Sequence, residues 1–364
     1  MRRFRIAGLI VVILLLAGGS YAGYLHVIAG EWKTIEPHFA GVCRKVAGVP
    51  GAEDITIHPN GRVAFISADD RRAHQRGETK VGAIYSYRLD LPEAEPVHLT
   101  PAAPPDFHPH GISLFISEGR ADRLFAVNHR AGGMADEAGI DGPPHSIEVF
   151  DFVGERLDHV ESLTDPLLIS PNDIVAIGSN EFYVTNDHGT RGELLRLLED
   201  YLLLPLSFVV RYDGSGFRKA AGGIAFANGI NANRAGDRVY VASTTARKLF
   251  VYDRDAATGR LENRREILTG TGVDNIEVDR AGALWIAAHP KLLTFVEHTK
   301  DPETPAPSQV LKVTLGGTSG FSTEEVFLSD GTDLSGSSVA ARHGDRLLIG
   351  TVMDGHFLDC RLEP

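Results

Sequence analysis

The chain has 364 residues, a formal net charge of −12, 43% hydrophobic residues and 23% charged residues. This balance supplies enough apolar side chains for a packed core and differs from the composition of disordered proteins. The acidic charge argues against nucleic acid as a partner, because phosphate binding requires clustered Lys and Arg. Acidic residues can form a soluble surface or can ligate hard cations. The positions of individual acidic residues in the sequence must therefore decide between these two roles.

The first 28 residues are predicted to lie outside the folded domain. Three arginines within the first five residues precede a stretch without Lys, Arg, Asp or Glu, residues 6–28. A basic start, an apolar run and small residues indicate a secretion signal, although the run also has the length of an uncleaved membrane anchor. The arginines favour a cytoplasmic N-terminus, so the rest would be exported to the periplasm or the extracellular space. We predict a signal peptide or signal anchor at 1–28 and an exported domain at 29–364, with a buried core helix as the alternative for the apolar run.

The chain contains two cysteines, Cys43 near the start of the exported part and Cys360 near its end. Two such distant cysteines do not match a zinc ribbon or a CxxC redox pair. In an exported protein they are expected to form one disulfide that joins the termini, with two free thiols as the alternative.

Six weakly repeated units pair a turn rich in Gly, Asn or Asp with an apolar strand. They occupy residues 59–66, 120–127, 179–184, 235–241, 280–286 and 343–349. Repetition at intervals of roughly 45–63 residues is typical of radially arranged four-stranded sheets. We therefore predict an all-β fold, a six-bladed β-propeller in one domain, although the uneven spacing alone does not exclude a β-sandwich.

One internal helix is predicted at residues 192–204, where Pro205 ends a leucine-rich run. Its leucines cover more than one helical face. We interpret it as a lid packed on the propeller, with an apolar surface close to the membrane as the alternative.

The motifs of several hydrolase classes are missing from the sequence. It has no Gly-x-Ser-x-Gly nucleophile in a strand-to-helix context and no His-Glu-x-x-His zinc motif. A serine hydrolase and a zinc enzyme are therefore not indicated.

Side-chain oxygens recur where the first strands of successive blades should begin. They belong to Glu53, Asp54, Asn172, Asp173, Asn228, Asp274 and Asn275. An Asn or Asp before a strand is usually a turn residue, but its repetition around a ring directs these side chains into the central channel. Carboxylate and amide oxygens suit Ca²⁺ best and Mg²⁺ second.

Eight short stretches occur in the order seen in the paraoxonase (serum paraoxonase/arylesterase) family, which the chain resembles from Cys43 to Cys360. They are AED (52–54), HPHGIS (108–113), VNH (127–129), PNDIVA (171–176), TNDH (185–188), FANGIN (226–231), VDNI (273–276) and AHP (288–290). The resemblance implies a six-bladed propeller with two Ca²⁺ in its channel and a disulfide between the two cysteines.

The resemblance also assigns the ligands of each ion. For the catalytic calcium they would be Glu53, Asn172, Asn228, Asp274 and Asn275. The structural calcium would bind Asp54, Asp173 and the backbone carbonyl of Ile112. Neighbouring residues would serve different ions, because successive side chains of an extended chain point in opposite directions.

Two histidines correspond to the catalytic pair of that family. His110 would be the general base toward water, and His129 would orient it and relay the proton. A structural histidine bonded to a loop carbonyl is the alternative. His188, Phe226 and His289 would lie on the substrate side of the channel.

These assignments predict a calcium-dependent hydrolase of lactones and aryl esters, in which calcium polarises the carbonyl and the histidines activate water. A gluconolactonase-like sugar lactonase and a non-catalytic calcium-stabilised binding platform are the alternatives. Two stretches depart from the family pattern, the charged run at 69–72 and a longer segment at 130–144. The resemblance therefore does not identify the substrate.

Overall fold

The protein is represented by a computed structural model that describes residues 2–130, 144–316 and 320–363. The longer segment expected at 130–144 falls mostly outside these residues. The chain begins with helix α1 (Arg2–Ile28), whose Leu14 and Leu15 are exposed, so the buried-core alternative is wrong. No helix among the described residues has the length and apolarity needed to cross a bilayer.

In the part of the chain that the structure describes, twenty-five strands follow the first helix. The two N-terminal strands are β1 (His38–Phe39) and β2 (Gly41–Ala47). The first two blades contain β3 (Ala52–Ile57), β4 (Val63–Ala68), β5 (Ala83–Arg88), β6 (Val97–His98), β7 (Pro109–Phe115), β8 (Asp122–His129), β9 (His145–Val153) and β10 (Arg156–Leu163). The next two contain β11 (Pro171–Gly178), β12 (Glu181–Asn186), β13 (Ser207–Tyr212), β14 (Phe217–Ile224), β15 (Ala227–Ala232), β16 (Arg238–Ser243), β17 (Lys248–Arg254) and β18 (Leu261–Leu268). The last two contain β19 (Gly272–Val278), β20 (Leu284–His289), β21 (Ser308–Gly316), β22 (Gly320–Ser329), β23 (Ser337–His343), β24 (Arg346–Thr351) and β25 (His356–Leu362).

The strands form six antiparallel sheets in which sequential neighbours pair. The first strands of the blades, β3, β7, β11, β15, β19 and β23, contact one another in a closed ring and line the central channel. This arrangement confirms the six-bladed propeller. The six units recognised in the sequence correspond to the second strand of each blade, from β4 to β24.

The N-terminal strands complete the last two blades. β1 adds to the edge of β22, and β2 pairs with β25 over seven residues. Cys43 lies opposite Cys360 in the second pair, and the two form a disulfide. The disulfide expected from the sequence is therefore present, and it joins the two ends of the ring.

Each blade packs against its neighbours through an apolar cluster, and six such clusters occur around the ring. Successive residues of β4 illustrate the pattern. Ile66 packs toward the sixth blade, whereas Phe65 packs toward the second. The middle strands are apolar throughout because side chains alternate between two faces and both faces are buried.

Three further helices lie beside the channel: α2 (Arg71–Gln75), α3 (Glu193–Tyr201) and α4 (Leu292–Lys300). Helix α3 confirms the helix expected at 192–204, and its side chains cover a cavity above the channel as a lid. The sequence interpretation did not identify α2 or α4. Glu31 anchors α4, because its carboxylate accepts hydrogen bonds from the Leu293 and Thr294 amides at the helix start.

Candidate active site

The predicted oxygen ligands lie at the channel ends of the first strands. The pairing register shifts at the start of all six of these strands, for example between Ala52 and Asp54 and between Val273 and Ile276. Such bulges redirect side chains and leave backbone groups unpaired. Bulging at equivalent positions directs adjacent polar residues toward the axis, which regular pairing would not do.

Four of the predicted ligands each have a buried oxygen without a hydrogen-bond partner among the described residues. The atoms are Glu53 Oε2, Asn172 Oδ1, Asn228 Oδ1 and Asn275 Oδ1. The asparagine nitrogens are engaged elsewhere, since they donate to Asp187, Thr244 and Glu53 respectively. Each unsatisfied buried oxygen costs about 1–3 kcal/mol, so four at one site call for a ligand. A set of carboxylate and amide oxygens fits a hard cation such as calcium.

Acidic side chains are concentrated at the same place. Burial and the neighbouring Asp54 and Asp274 carboxyls raise the pKa of Glu53 well above its ordinary value. Asp274 Oδ2 lies 2.8 Å from His289 Nε2, and the His289 ring stacks on Phe295 with the centroids 3.7 Å apart. Several carboxyl groups are thus buried close together. A bound metal ion would stabilise their ionised forms.

Asp54 and Asp173 form a second acidic pair in the channel. Each carboxylate bridges blades: Asp54 accepts from the Ile112 amide at 2.7 Å, and Asp173 accepts from the Ile230 amide at 2.7 Å. Burial raises the pKa of Asp54 to about 7, and burial together with Asp54 raises the pKa of Asp173. Two buried carboxyls that oppose each other's ionisation again fit a shared cation.

The two predicted catalytic histidines are adjacent and largely buried. The rings of His110 and His129 lie 5.1 Å apart and are inclined at 63°. Burial lowers the pKa of both below the ordinary value, with Arg71 contributing at His110 and His145 at His129. Both imidazoles are therefore neutral at neutral pH, as a proton acceptor requires.

Arg71 and His145 contact this pair, and the sequence interpretation assigned them no catalytic role. Arg71 Nη2 lies 2.8 Å from His110 Nδ1, and His129 Nδ1 lies 3.0 Å from His145 Nδ1. A guanidinium only donates, so His110 Nδ1 accepts and the ring proton resides on Nε2. The sequence signal for Arg71 is its place in the charged run at 69–72.

His188 differs from His110 and His129 because it is positively charged. Its Nδ1 lies 2.7 Å from Asp187 Oδ1, and its Nε2 lies 3.1 Å from Asp200 Oδ1 on α3. Burial opposes its protonation, but the two carboxylates outweigh burial and raise its pKa to about 10. His188 therefore ties the lid helix to the third blade. Its ring lies 5.2 Å from that of Phe226, whose φ of 53° is rare for a bulky residue.

These residues surround a cavity of about 590 Å³. Its floor contains Glu53, Asn172, Asn228 and Asp274, and its walls include His110, His129, His188, Phe226 and His289. The lining also includes the apolar side chains Leu25, Leu197, Leu203, Leu293 and Val296, together with polar residues such as Arg196, Tyr201 and Lys300. An apolar enclosure with a few convergent polar groups is typical of a small-molecule site.

The structure thus brings together the predicted catalytic histidines, substrate-side residues and four of the five predicted catalytic-calcium ligands in one cavity. The fifth, Asn275, is buried beside Glu53, whereas Asp54, Asp173 and Ile112 lie among the blades outside the cavity lining. The two groups of predicted ligands therefore lie at different places in the fold.

Comparison with known proteins identifies the family. The sequence profile named Arylesterase matches residues 33–362. The chain is 35% identical to human serum paraoxonase/arylesterase 1 over 330 residues, covering 88% of this chain and 89% of the human protein.

Solved structures support the fold. A luciferin-regenerating enzyme superposes with a TM-score of 0.56 at 12% identity, covering 88% of this chain and 95% of that one. A candidate gluconolactonase superposes with a TM-score of 0.53 at 16% identity, covering 90% and 93%. The full-length relationship with the paraoxonases disfavours a non-catalytic binding platform. The chain therefore belongs to the arylesterase family and is a carboxylic ester hydrolase.

Proposed function

We propose that this protein is a calcium-dependent hydrolase of lactones and aryl esters. The observation that supports this proposal most is a set of four buried oxygens, on Glu53, Asn172, Asn228 and Asn275, that lack a hydrogen-bond partner among the described residues. Oxygen-only ligands and nearby acidic charge favour Ca²⁺ over a transition metal. Mg²⁺ is the second candidate, because it prefers a tighter octahedron with more water.

Two ions would be bound in this proposal. Glu53, Asn172, Asn228, Asp274 and Asn275 would hold the catalytic ion at the cavity floor. The structural ion would be held by Asp54, Asp173 and the Ile112 carbonyl, where it would neutralise two carboxyls that disfavour each other's ionisation. Residues 29–364 would form this hydrolase domain.

Calcium at the cavity floor would supply Lewis-acid polarisation of the ester or lactone carbonyl. His110 and His129 would activate the attacking water, since both are neutral and face the cavity. Arg71 would have to break its hydrogen bond to His110 Nδ1 before that atom could take up a proton. His129 would relay the proton toward His145 through their Nδ1–Nδ1 contact.

Leucine side chains in the cavity lining favour substrates with an apolar acyl or aryl group over polyhydroxylated sugar lactones, although polar residues such as Arg196 and Lys300 share that lining. Leu197, Leu203 and Leu293 provide no hydrogen-bonding side chains for sugar hydroxyls. A gluconolactonase-like activity remains the second candidate, supported by the fold likeness to a candidate gluconolactonase.

The test compares hydrolysis of phenyl acetate, an alkyl-substituted lactone and gluconolactone, with and without EGTA. We expect the first two to be hydrolysed, with loss of activity in EGTA and recovery on calcium addition. Hydrolysis of gluconolactone alone would favour the second candidate. Full activity in EGTA would overturn the calcium proposal.

Export fits the disulfide and the relationship to serum proteins. We further propose peripheral membrane attachment through α1 if it is retained, assisted by α3. Leu15 on α1 and Leu194 on α3 are about 70% exposed, and Tyr21 Oη donates to the Tyr201 carbonyl to join the helices. Co-sedimentation of the full chain with lipid vesicles tests this, and binding undiminished by Leu194→Ser with Leu198→Ser would exclude a role for α3.

A further inference from the structure

A cluster of metal-ligating side chains lies outside the cavity described above. Asp69 Oδ1 is 2.9 Å from His74 Nε2 and 3.1 Å from His108 Nδ1. All three ligand atoms lie within 4.8 Å of one another. The cavity lining contains Arg71 and His110 but none of these three residues, and none of the three is a predicted ligand of either calcium ion.

Three different parts of the chain build the cluster. Asp69 follows β4, His74 lies on α2, and His108 directly precedes β7. The His108 amide donates to Asn128 Oδ1 at 2.8 Å, which fixes the backbone beside the ring. A Cβ at Gly82 would lie 2.5 Å from Pro109 and 3.2 Å from Asp69 Oδ1, so the absence of a side chain leaves room for the carboxylate.

The accessibility of the cluster suits ion entry. The Asp69 side chain is only 2% exposed, whereas those of His74 and His108 are 19% and 11% exposed. A buried carboxylate beneath two partly exposed imidazoles leaves an outward position for water. Three protein ligands with one open position are common in zinc sites.

The chemistry of the three donors differs from that of the channel. Two imidazoles and one carboxylate suit first-row transition metals, whereas calcium takes oxygen ligands only. The observed O–N separations are close to the ligand–ligand edge of about 3.3 Å in a tetrahedral site with bonds of 2.0–2.1 Å.

The carboxylate is also in the form that a metal requires. Burial opposes its ionisation, but His108, Arg71 and His74 outweigh burial and lower the pKa of Asp69 to about 2. Asp69 is therefore ionised across the neutral range, where neutral imidazoles also ligate.

We propose that Asp69, His74 and His108 bind a first-row divalent transition-metal ion, with Zn²⁺ as the probe. The ion would join α2 to the start of β7. These two elements carry Arg71 and His110, so the metal would hold together the elements whose side chains meet in the active site. This proposal does not rest on the proposed substrate or on calcium.

The test is isothermal titration of the calcium-saturated full chain with ZnCl₂, together with Co²⁺ absorption spectra. The variants are His74→Gln and His108→Asn. His58→Gln is the matched control, because His58 also pairs with one carboxylate, Asp122 at 3.1 Å, and is 16% exposed. Thermal unfolding in calcium verifies that each variant is folded.

We expect one Zn²⁺ per chain in the wild type and in His58→Gln, with tetrahedral Co²⁺ bands. Affinity should fall by about 100-fold in each of the other two variants, and the bands should disappear. No Zn²⁺ binding by the wild type, or equal binding by all four proteins, would overturn the proposal and leave the cluster as a hydrogen-bonded brace. Ester hydrolysis is measured separately, so that a failure of the zinc-site proposal can be distinguished from a failure of the proposed hydrolase function.

Discussion

At and beside the cavity floor, individual side chains have buried oxygens that lack hydrogen-bond partners among the described residues and that a cation could bind. Asn172, Asn228 and Asn275 donate through their nitrogens to protein acceptors and leave their oxygens without partners among the described residues. A channel built only for stability would satisfy these oxygens or replace them with apolar atoms. The unsatisfied set is therefore the main support for the proposed metal site.

Asp274→Asn tests the charge of this site without changing its shape. The amide can keep its contact with His289 but supplies no negative charge, so calcium should bind more weakly. We expect kcat/KM for phenyl acetate to fall by about 100-fold or more at fixed calcium. Asp237→Asn, at an exposed turn, is the control. Equal activity in the two variants would contradict the ligand assignment.

Arg71→Gln tests the electrostatic control of His110. Besides burial, Arg71 lowers the pKa of His110, so its removal should raise that pKa. The base acts in its neutral form, and the acidic limb of the kcat/KM–pH profile should therefore move to higher pH. Arg72→Gln is the matched control, because Arg72 donates to the His298 and Thr299 carbonyls instead. If the acidic limb of the profile lies at the wild-type pH in both variants, His110 is not the titrating base.

The sequence predicted candidate ligands because the same oxygen-bearing pattern recurs at the start of several blades, and the family resemblance assigned them to two ions. Arg71 and His145 were not recognised, because no repeat or motif marks them. Their importance depends on where α2 and β9 place them, and these contacts join residues 39 and 16 positions apart in the chain. Spacing along a single sequence does not encode such contacts.

At the scale of secondary-structure elements, two features organise the site. They are the β-bulges at the start of the first strands and the lid helix α3, which an ion pair holds in place. The second strands were predictable because both of their faces are buried, which makes them apolar throughout. Outer strands such as β22, which is largely exposed, lack this signature. The short helix α2 and the nine-residue α4 gave no comparable signal, since side-chain contacts with the propeller rather than a long periodic pattern hold them in place.

Asp200→Asn should loosen the lid helix α3. His188 is cationic between Asp187 and Asp200, and the substitution removes one of its two ionic partners. We expect faster amide exchange in residues 193–201 and a higher KM, with Glu193→Gln on the same helix as the control. Unchanged exchange in Asp200→Asn would exclude the ionic tie.

The same tie has a predictable pH dependence. The pKa of His188 is raised in the folded protein, to about 10, so its stabilising contribution is complete below the ordinary value of 6.5. It is lost as the pH rises toward 10. Exchange protection of α3 in the wild type should decline over that interval, and Asp200→Asn should shift the decline to lower pH.

At the scale of the whole molecule, the propeller is a closed ring whose last blade contains strands from both ends of the chain. β2 supplies the outer strand of the sixth blade, and the Cys43–Cys360 disulfide links it covalently to β25. The two inter-blade clusters that include residues of the sixth blade therefore depend on its closure. The closure was predictable from the positions of the two cysteines, whereas the pairing of β1 with the fifth blade was not.

Removing the disulfide should weaken the ring without altering the site. Cys43→Ser with Cys360→Ser should reduce the free energy of unfolding by about 2–4 kcal/mol, because the unfolded chain gains freedom. Chemical denaturation followed by circular dichroism measures this. Activity at low temperature should persist in the double variant. Equal free energies of unfolding for the wild type and the double variant would contradict a stabilising role for the disulfide.

The central claim is that channel oxygens hold a divalent ion accessible to substrate. Its most direct test is calcium titration of the EGTA-treated full chain, with bound calcium and hydrolysis of phenyl acetate measured in the same samples. We expect the wild type to bind two calcium ions and Asp274→Asn to bind one fewer. Hydrolysis by the wild type should recover as it binds the ion that Asp274→Asn fails to bind. Full hydrolysis before any calcium is added would contradict it.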